Sequence, residues 1–173
     1  VPPNSGVRPE LVNALIQLLQ DRAAGTPSSQ TDASGAPATS SNSTAAGAYS
    51  QDGGSQTQSG QAYTASATDE SAILVTNGGA LSVSNANITT SGDTSSQENS
   101  SFYGLNAAVL AESGSTITLT DSTITTSGEG ANGAFATGSG SSVTLTNVTI
   151  TATGGGGHGV MATQGGSMIL NNV

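Results

Sequence analysis

The side chains able to do acid–base or metal chemistry are few. The 173 residues hold one histidine, His158, 11 acidic residues, no cysteine and only two basic residues, Arg8 and Arg22. His158 lies in "GGGGHG" at 154–159, where the flanking glycines predict an exposed turn. A nucleophilic triad would pair it with a serine and an acid, but spacing singles out no such serine. Inverting glycoside hydrolysis needs two facing carboxylates, and the sequence has no Asp-Asp pair. The local acidic groupings are Asp69-Glu70, Asp93 and Glu98. Calcium asks for roughly six to eight converging oxygens, and the Gly-Gly-x-Gly-x-Asp repeat of calcium-binding rolls is missing. The expectation is therefore no catalytic residue, no metal site and no cofactor. His158 reads as an ordinary turn residue.

Charge narrows the partners. A net charge of −9 leaves nothing to neutralise phosphates, which excludes nucleic acid, and it opposes docking on an anionic membrane surface. No stretch approaches the ~20 apolar residues of a membrane span. Acidity on this scale supports solubility. With 34% hydrophobic residues and 24 glycines, a two-layer core is hard to build. A core one side chain wide, repeated along an axis, is easier. The chain starts at Val1 without a basic-plus-apolar leader, so it reads as a mature form or a fragment.

Three regions differ in composition. In residues 1–25, "RPELVNALIQLLQDRAAG" places Leu11, Leu15 and Leu18 on one stripe with Leu19 beside it. Pro9 suits the first turn, and Glu10 and Arg22 complement the dipole ends. This predicts an amphipathic helix that caps the open end of the repeat region below, associates with another chain's helix or end, or belongs to an upstream domain, with capping the leading reading. Residues 26–46 are rich in Ser, Thr, Ala and Pro with no apolar period, and read as a linker. Residues 47–173 hold repeats.

The phrases "LSVSNANITTSG", "ITLTDSTITTSG" and "VTLTNVTITATG" begin at 81, 117 and 143. Aligning Leu81, Ile117, Val143 and Met168 gives spacings of 36, 26 and 25 residues. Asn85, Asp121, Asn147 and Asn172 fall in the same register, as do Ile88, Ile124 and Ile150. A second family, "AILVT", "AVLAE", "AFATG" and "VMATQ", begins at 72, 108, 134 and 160. A weaker copy spans 47–71, with Tyr63 matching Ile88. Within "TITLT", Ile117 and Leu119 point one way and three threonines the other. Periods in the twenties indicate a solenoid. The fold class is all-β: a parallel β-helix of about four or five coils, three short strands to a coil. Inward positions stack apolar residues that no single coil could bury. The Asn/Asp column marks a corner, where these side chains tolerate left-handed backbone and can bond along the axis. The long first spacing reflects "DTSSQENSSFYGLN" at 93–106, expected to leave the stack as a loop. The chain stops at Val173 within a coil, which predicts that the polypeptide continues or that another chain completes the stack.

"SSFYGLNAAVLAESGS", "GANGAFATGSGSSVTLTNVTI" and "GGHGVMATQGGSMILNNV" resemble the right-handed parallel β-helix repeat proteins of microbial cell surfaces. The likeness covers about residues 47–173 and implies a secreted, surface-attached or adhesin-like protein at the cell surface. Pectin-degrading enzymes share the fold, and Gly157-His158-Gly159 matches one element of galacturonan hydrolases. Their other acidic and basic elements are missing, which disfavours that activity. Thr118 and Thr120 should align with Thr144 and Thr146, as in ice-binding solenoids. The neighbouring ranks offer Ser82/Ser84 and Ile169/Asn171, and outward threonine is simply a good strand residue. The expected function is a non-enzymatic extracellular or cell-surface module. Phe102, Tyr103, Asn99 and Asn106 are the expected contact patch, suited to glycans by aromatic stacking and hydrogen bonding. The alternative is a filament subunit stacking head to tail on copies of itself through open coil ends and the N-terminal helix.

Overall fold

A computed structural model describes residues 45–173. The expected amphipathic helix, with Leu11, Leu15, Leu18 and Leu19, and nearly all of the linker lie outside the described residues.

The described part is a parallel β-solenoid of five coils. The first coil contains β1 (Ala46–Asp52), β2 (Ser55–Ser59) and β3 (Ala62–Ala65). The second contains β4 (Glu70–Thr76), β5 (Ala80–Ser84) and β6 (Asn87–Thr90). In the third, β7 (Ala107–Ala111) is followed by a long bent strand, β8 (Thr116–Thr126). The fourth repeats this with β9 (Asn132–Thr137) and β10 (Ser142–Ala152). The fifth has β11 (Val160–Thr163) and β12 (Ser167–Asn171). One sheet runs β1-β4-β7-β9-β11 and the other β2-β5-β8-β10-β12, with β3 and β6 extending it onto a third wall.

All pairing between coils is parallel and in register, and the expected columns are present. Gln56, Leu81, Ile117, Val143 and Met168 pair successively. Tyr63, Ile88, Ile124 and Ile150 form the column on the third wall. Strict alternation drives this: β8 reads exposed, buried, exposed, buried along "TITLT", because successive side chains point to opposite faces. Ile88, Ile117, Leu119, Ile124 and Leu145 are at most 1% exposed. Each such side chain contributes about 1.5–3 kcal/mol by leaving water.

The second family keeps the register of its phrase starts from β4 to β7 and from β9 to β11, and is offset by one residue between β7 and β9. Ile73 pairs with Val109 and Val109 with Ala134, so Ala108 does not share a column with Ala134. The cause is turn length. The turns Asn77-Gly78, Ser113-Gly114 and Gln164-Gly165 each take two successive positive φ values, the geometry that Gly and Asn accept most readily. The fourth coil instead inserts a residue, using Gly138 and Gly140 at φ 87° and 79°. That shift brings β10 back into step with β8.

The corner column is left-handed throughout. Asn85, Asp121, Asn147 and Asn172 have φ of 50°, 49°, 54° and 52°. Asn172 Nδ2 donates to Asn147 Oδ1, and Asn147 Nδ2 to Asp121 Oδ1, each at 2.9 Å.

Residues 93–106 differ from the expected loop. Gln97–Tyr103 form a helix, α1, capped by the Ser96 hydroxyl, which accepts from Asn99 N at 3.2 Å. Gly104 ends it at φ 74°, with Gly104 N and Leu105 N donating back to the carbonyls of Ser100 and Asn99.

The wall assignment predicts opposite outcomes for adjacent residues. Ile124→Ala, inside the stack, should cost roughly 2–5 kcal/mol in urea unfolding. Thr125→Ala, one residue on and facing water, should stay within about 0.5 kcal/mol.

Candidate functional site

A helix of seven residues does not hold itself together in water, so α1 depends on what it touches. The Ser100 hydroxyl donates to the carbonyl of Gly130. Asn132 Nδ2 donates to the Ser100 carbonyl at 3.1 Å and to its hydroxyl at 2.9 Å. Ser100 and Asn132 are both fully buried. At the C-terminal end the Phe102 carbonyl accepts from Thr163 Oγ1 at 2.7 Å and from Gln164 Nε2 at 3.3 Å. Upstream, Asp69 accepts from Ser95 N at 2.7 Å and from the hydroxyls of Ser95 and Thr94 at 2.5 and 3.2 Å.

Beneath the helix lies a second apolar cluster, on the outer side of the sheet. Leu74, Leu110 and Phe135 pair with one another across β4, β7 and β9 and are nearly or fully buried, with Met161 packed beside them. Gly104 makes the close approach possible. A methyl group there would lie 2.6 Å from Leu110 Cδ1 and 2.7 Å from the Phe135 ring. The strands beneath therefore bury both faces, which explains the unbroken apolar runs "AAVLA" and "GAFA".

This seating leaves Phe102 on the surface, 51% exposed, with Tyr103 and Asn99 half-buried nearby on the same helix. Asn106 does not join them. It is fully buried with φ 65°, and its Nδ2 donates to the Gly92 carbonyl at 2.6 Å. The patch thus contains Phe102, Tyr103 and Asn99, and Asn106 is a buried anchor at the entrance to β7.

His158 is exposed, in the turn before β11. Its backbone N donates to Asn132 Oδ1 at 3.0 Å, and its Nδ1 lies 3.0 Å from the same oxygen. Asn132 thus joins Ser100 to His158, but it presents an amide and not an acid, and the Ser100 hydroxyl is sealed from solvent. Among the described residues no three His, Cys, Asp or Glu side chains gather as a metal site would require. No helix among them is long and apolar enough to cross a membrane.

The threonine array is deeper than the sequence phrases implied. Thr118 and Thr144 pair, flanked by Ser82 and Ile169 as expected. On the third wall, however, Thr64, Thr89, Thr125 and Thr151 form a column four ranks deep. The clue was the Tyr63–Ile88 alignment, which brings Thr64 and Thr89 into step.

In the turn after β7, burial pushes the Glu112 carboxyl above the ordinary glutamate range, and a hydrogen bond with the Thr76 side chain offsets part of that shift.

Comparisons with protein-family models, with curated proteins and with solved structures returned no match. The reading of the site rests on its geometry.

Two outcomes follow from these contacts. Ser100→Ala strips a donor from the Gly130 carbonyl and a partner from Asn132, at a cost of about 1–3 kcal/mol. Amide exchange across 96–104 should accelerate well before exchange in β8. For Glu112, a folded-state pKa above the unfolded value imposes a penalty above that range which vanishes below it. Glu112→Gln should therefore be more stable than the parent at pH 7, with the difference closing as pH falls through the glutamate range.

Proposed function

We propose that this chain is a non-enzymatic extracellular or cell-surface module, structural and adhesin-like, whose α1 wall contacts carbohydrate. One observation carries the reading: Phe102 stands half-exposed on a helix fixed by hydrogen bonds from Thr163 and Gln164 in the fifth coil. With the backbone beneath it fixed, the ring has only its own two side-chain torsions to lose when a ligand covers it. Pyranose rings offer an apolar C–H face for stacking, and their hydroxyls suit the neutral donors and acceptors of Asn99, Thr163 and Gln164.

The cell-surface part of the reading draws support from the stacked, Ser/Thr-rich walls and from the resemblance to microbial surface β-helix proteins. A repetitive rod displaying a local patch fits an attachment role better than catalysis, because the most nearly enzyme-like group, His158, is joined to an amide.

The Phe102→Ala/Tyr103→Ala double variant tests the contact patch. Glycan-array screening followed by calorimetry on the strongest hit should show binding by the parent chain and a loss of at least about tenfold in the variant, equivalent to ~1.4 kcal/mol. Equal binding by both would remove α1 as the contact surface.

A further inference from the structure

Within α1, Glu98 and Phe102 stand four residues apart, the spacing that places two side chains side by side on one helical face. Both are exposed. The Glu98 carboxylate has no cation to answer it within the solenoid, because both basic residues of the chain, Arg8 and Arg22, precede residue 45. Every other charged side chain in 45–173, His158 apart, is acidic. The exposed face of α1 thus combines an aromatic ring with a carboxylate in a field of uniformly negative sign.

Those two groups have a shared preference. A ring face attracts an ammonium group through its quadrupole, and an adjacent carboxylate attracts the same group by charge. A uronic acid or sulfated sugar would meet repulsion from Glu98 and from the acidic surroundings. We infer that the α1 patch selects glycans carrying free amino groups, with glucosamine-type units as the ligand class: the sugar face packs on Phe102 and its ammonium group lies against Glu98. This inference rests on the carbohydrate reading above and adds the ligand's charge to it. Asn99 and Tyr103 complete the polar margin, and no covalent step is involved.

The test uses the full chain and three short oligosaccharides of equal length: β-1,4-linked glucosamine, its fully N-acetylated counterpart, and galacturonate. Calorimetry at low and at moderate salt should rank glucosamine first and galacturonate last. Glu98→Gln should weaken the glucosamine oligomer about three- to fivefold, the scale of an exposed ion pair, and leave the N-acetylated oligomer unchanged. Asp52→Asn, in the first coil, removes the same unit of charge far along the sequence and should have no effect.

Equal affinity for the amino and N-acetylated oligomers, untouched by Glu98→Gln, would overturn the selectivity and leave the glycan patch standing. An equal loss in Asp52→Asn and Glu98→Gln would also overturn it, since diffuse charge would then explain the binding. Binding of none of the three, together with a blank glycan array, would remove the carbohydrate reading itself and this inference with it.

Discussion

Everything in the described residues depends on a parallel, in-register ladder that places each coil directly on the previous one. Parallel pairing repeats about every 4.8 Å, so an inward side chain has its counterpart in the next coil as its nearest neighbour. The same constraint fixes the corners. A residue in the left-handed conformation in one coil demands one in the next, and Asn85, Asp121, Asn147 and Asn172 meet that demand. Where a coil changes length, the change is confined to turns or thrown outside the stack. Gly138 and Gly140 accommodate one extra residue, and α1 holds most of the larger insertion.

The first coil follows the same geometry with different chemistry. Gln56 and Gln58 occupy the columns that Leu81 and Val83 fill in the second coil. Gln51 stands in the column of Val75, and its Nε2 donates to the carbonyls of Gly53, Gly54 and Ala80 at 3.0–3.1 Å. Tyr49 and Tyr63 meet edge to face with centroids 5.6 Å apart, filling with two rings the width that branched aliphatics fill elsewhere. The columns thus grade from polar and aromatic at the first coil, where Gln56 is exposed and Gln58 half-buried, to aliphatic in the coils that follow.

The solenoid was legible in the sequence because its constraint is periodic. Each inward column writes the same residue class at a fixed interval, and Leu81, Ile117, Val143 and Met168 sit where the repeats placed them. What was hidden depends on contacts that do not repeat. Nothing periodic marks Leu110 and Phe135 as facing outward, since an inward run and a run buried on both sides look alike without their cover. The helix in 93–106 was obscured because seven residues carry little pattern, although Ser96 and Gly104 are cap residues at its two ends. Asn106 looked like a surface polar residue, and only the closure of the insertion against Gly92 buries it. The one-residue offset between Val109 and Ala134 was masked by a compensating turn.

The insertion also alters how the molecule comes apart. A solenoid whose coils touch only their neighbours behaves as a one-dimensional chain of weakly independent units, able to fray from an end one rank at a time. Here the insertion leaves after the second coil, anchors through Ser95 to Asp69 there, through Ser100 to Gly130 and Asn132 in the fourth, and through Phe102 to Thr163 in the fifth, 61 residues further along the chain. The fifth coil is thereby fastened to a segment that emerges three coils earlier. Peeling it away requires the strap to be released as well, which merges the separate opening steps of the later coils into one cooperative event.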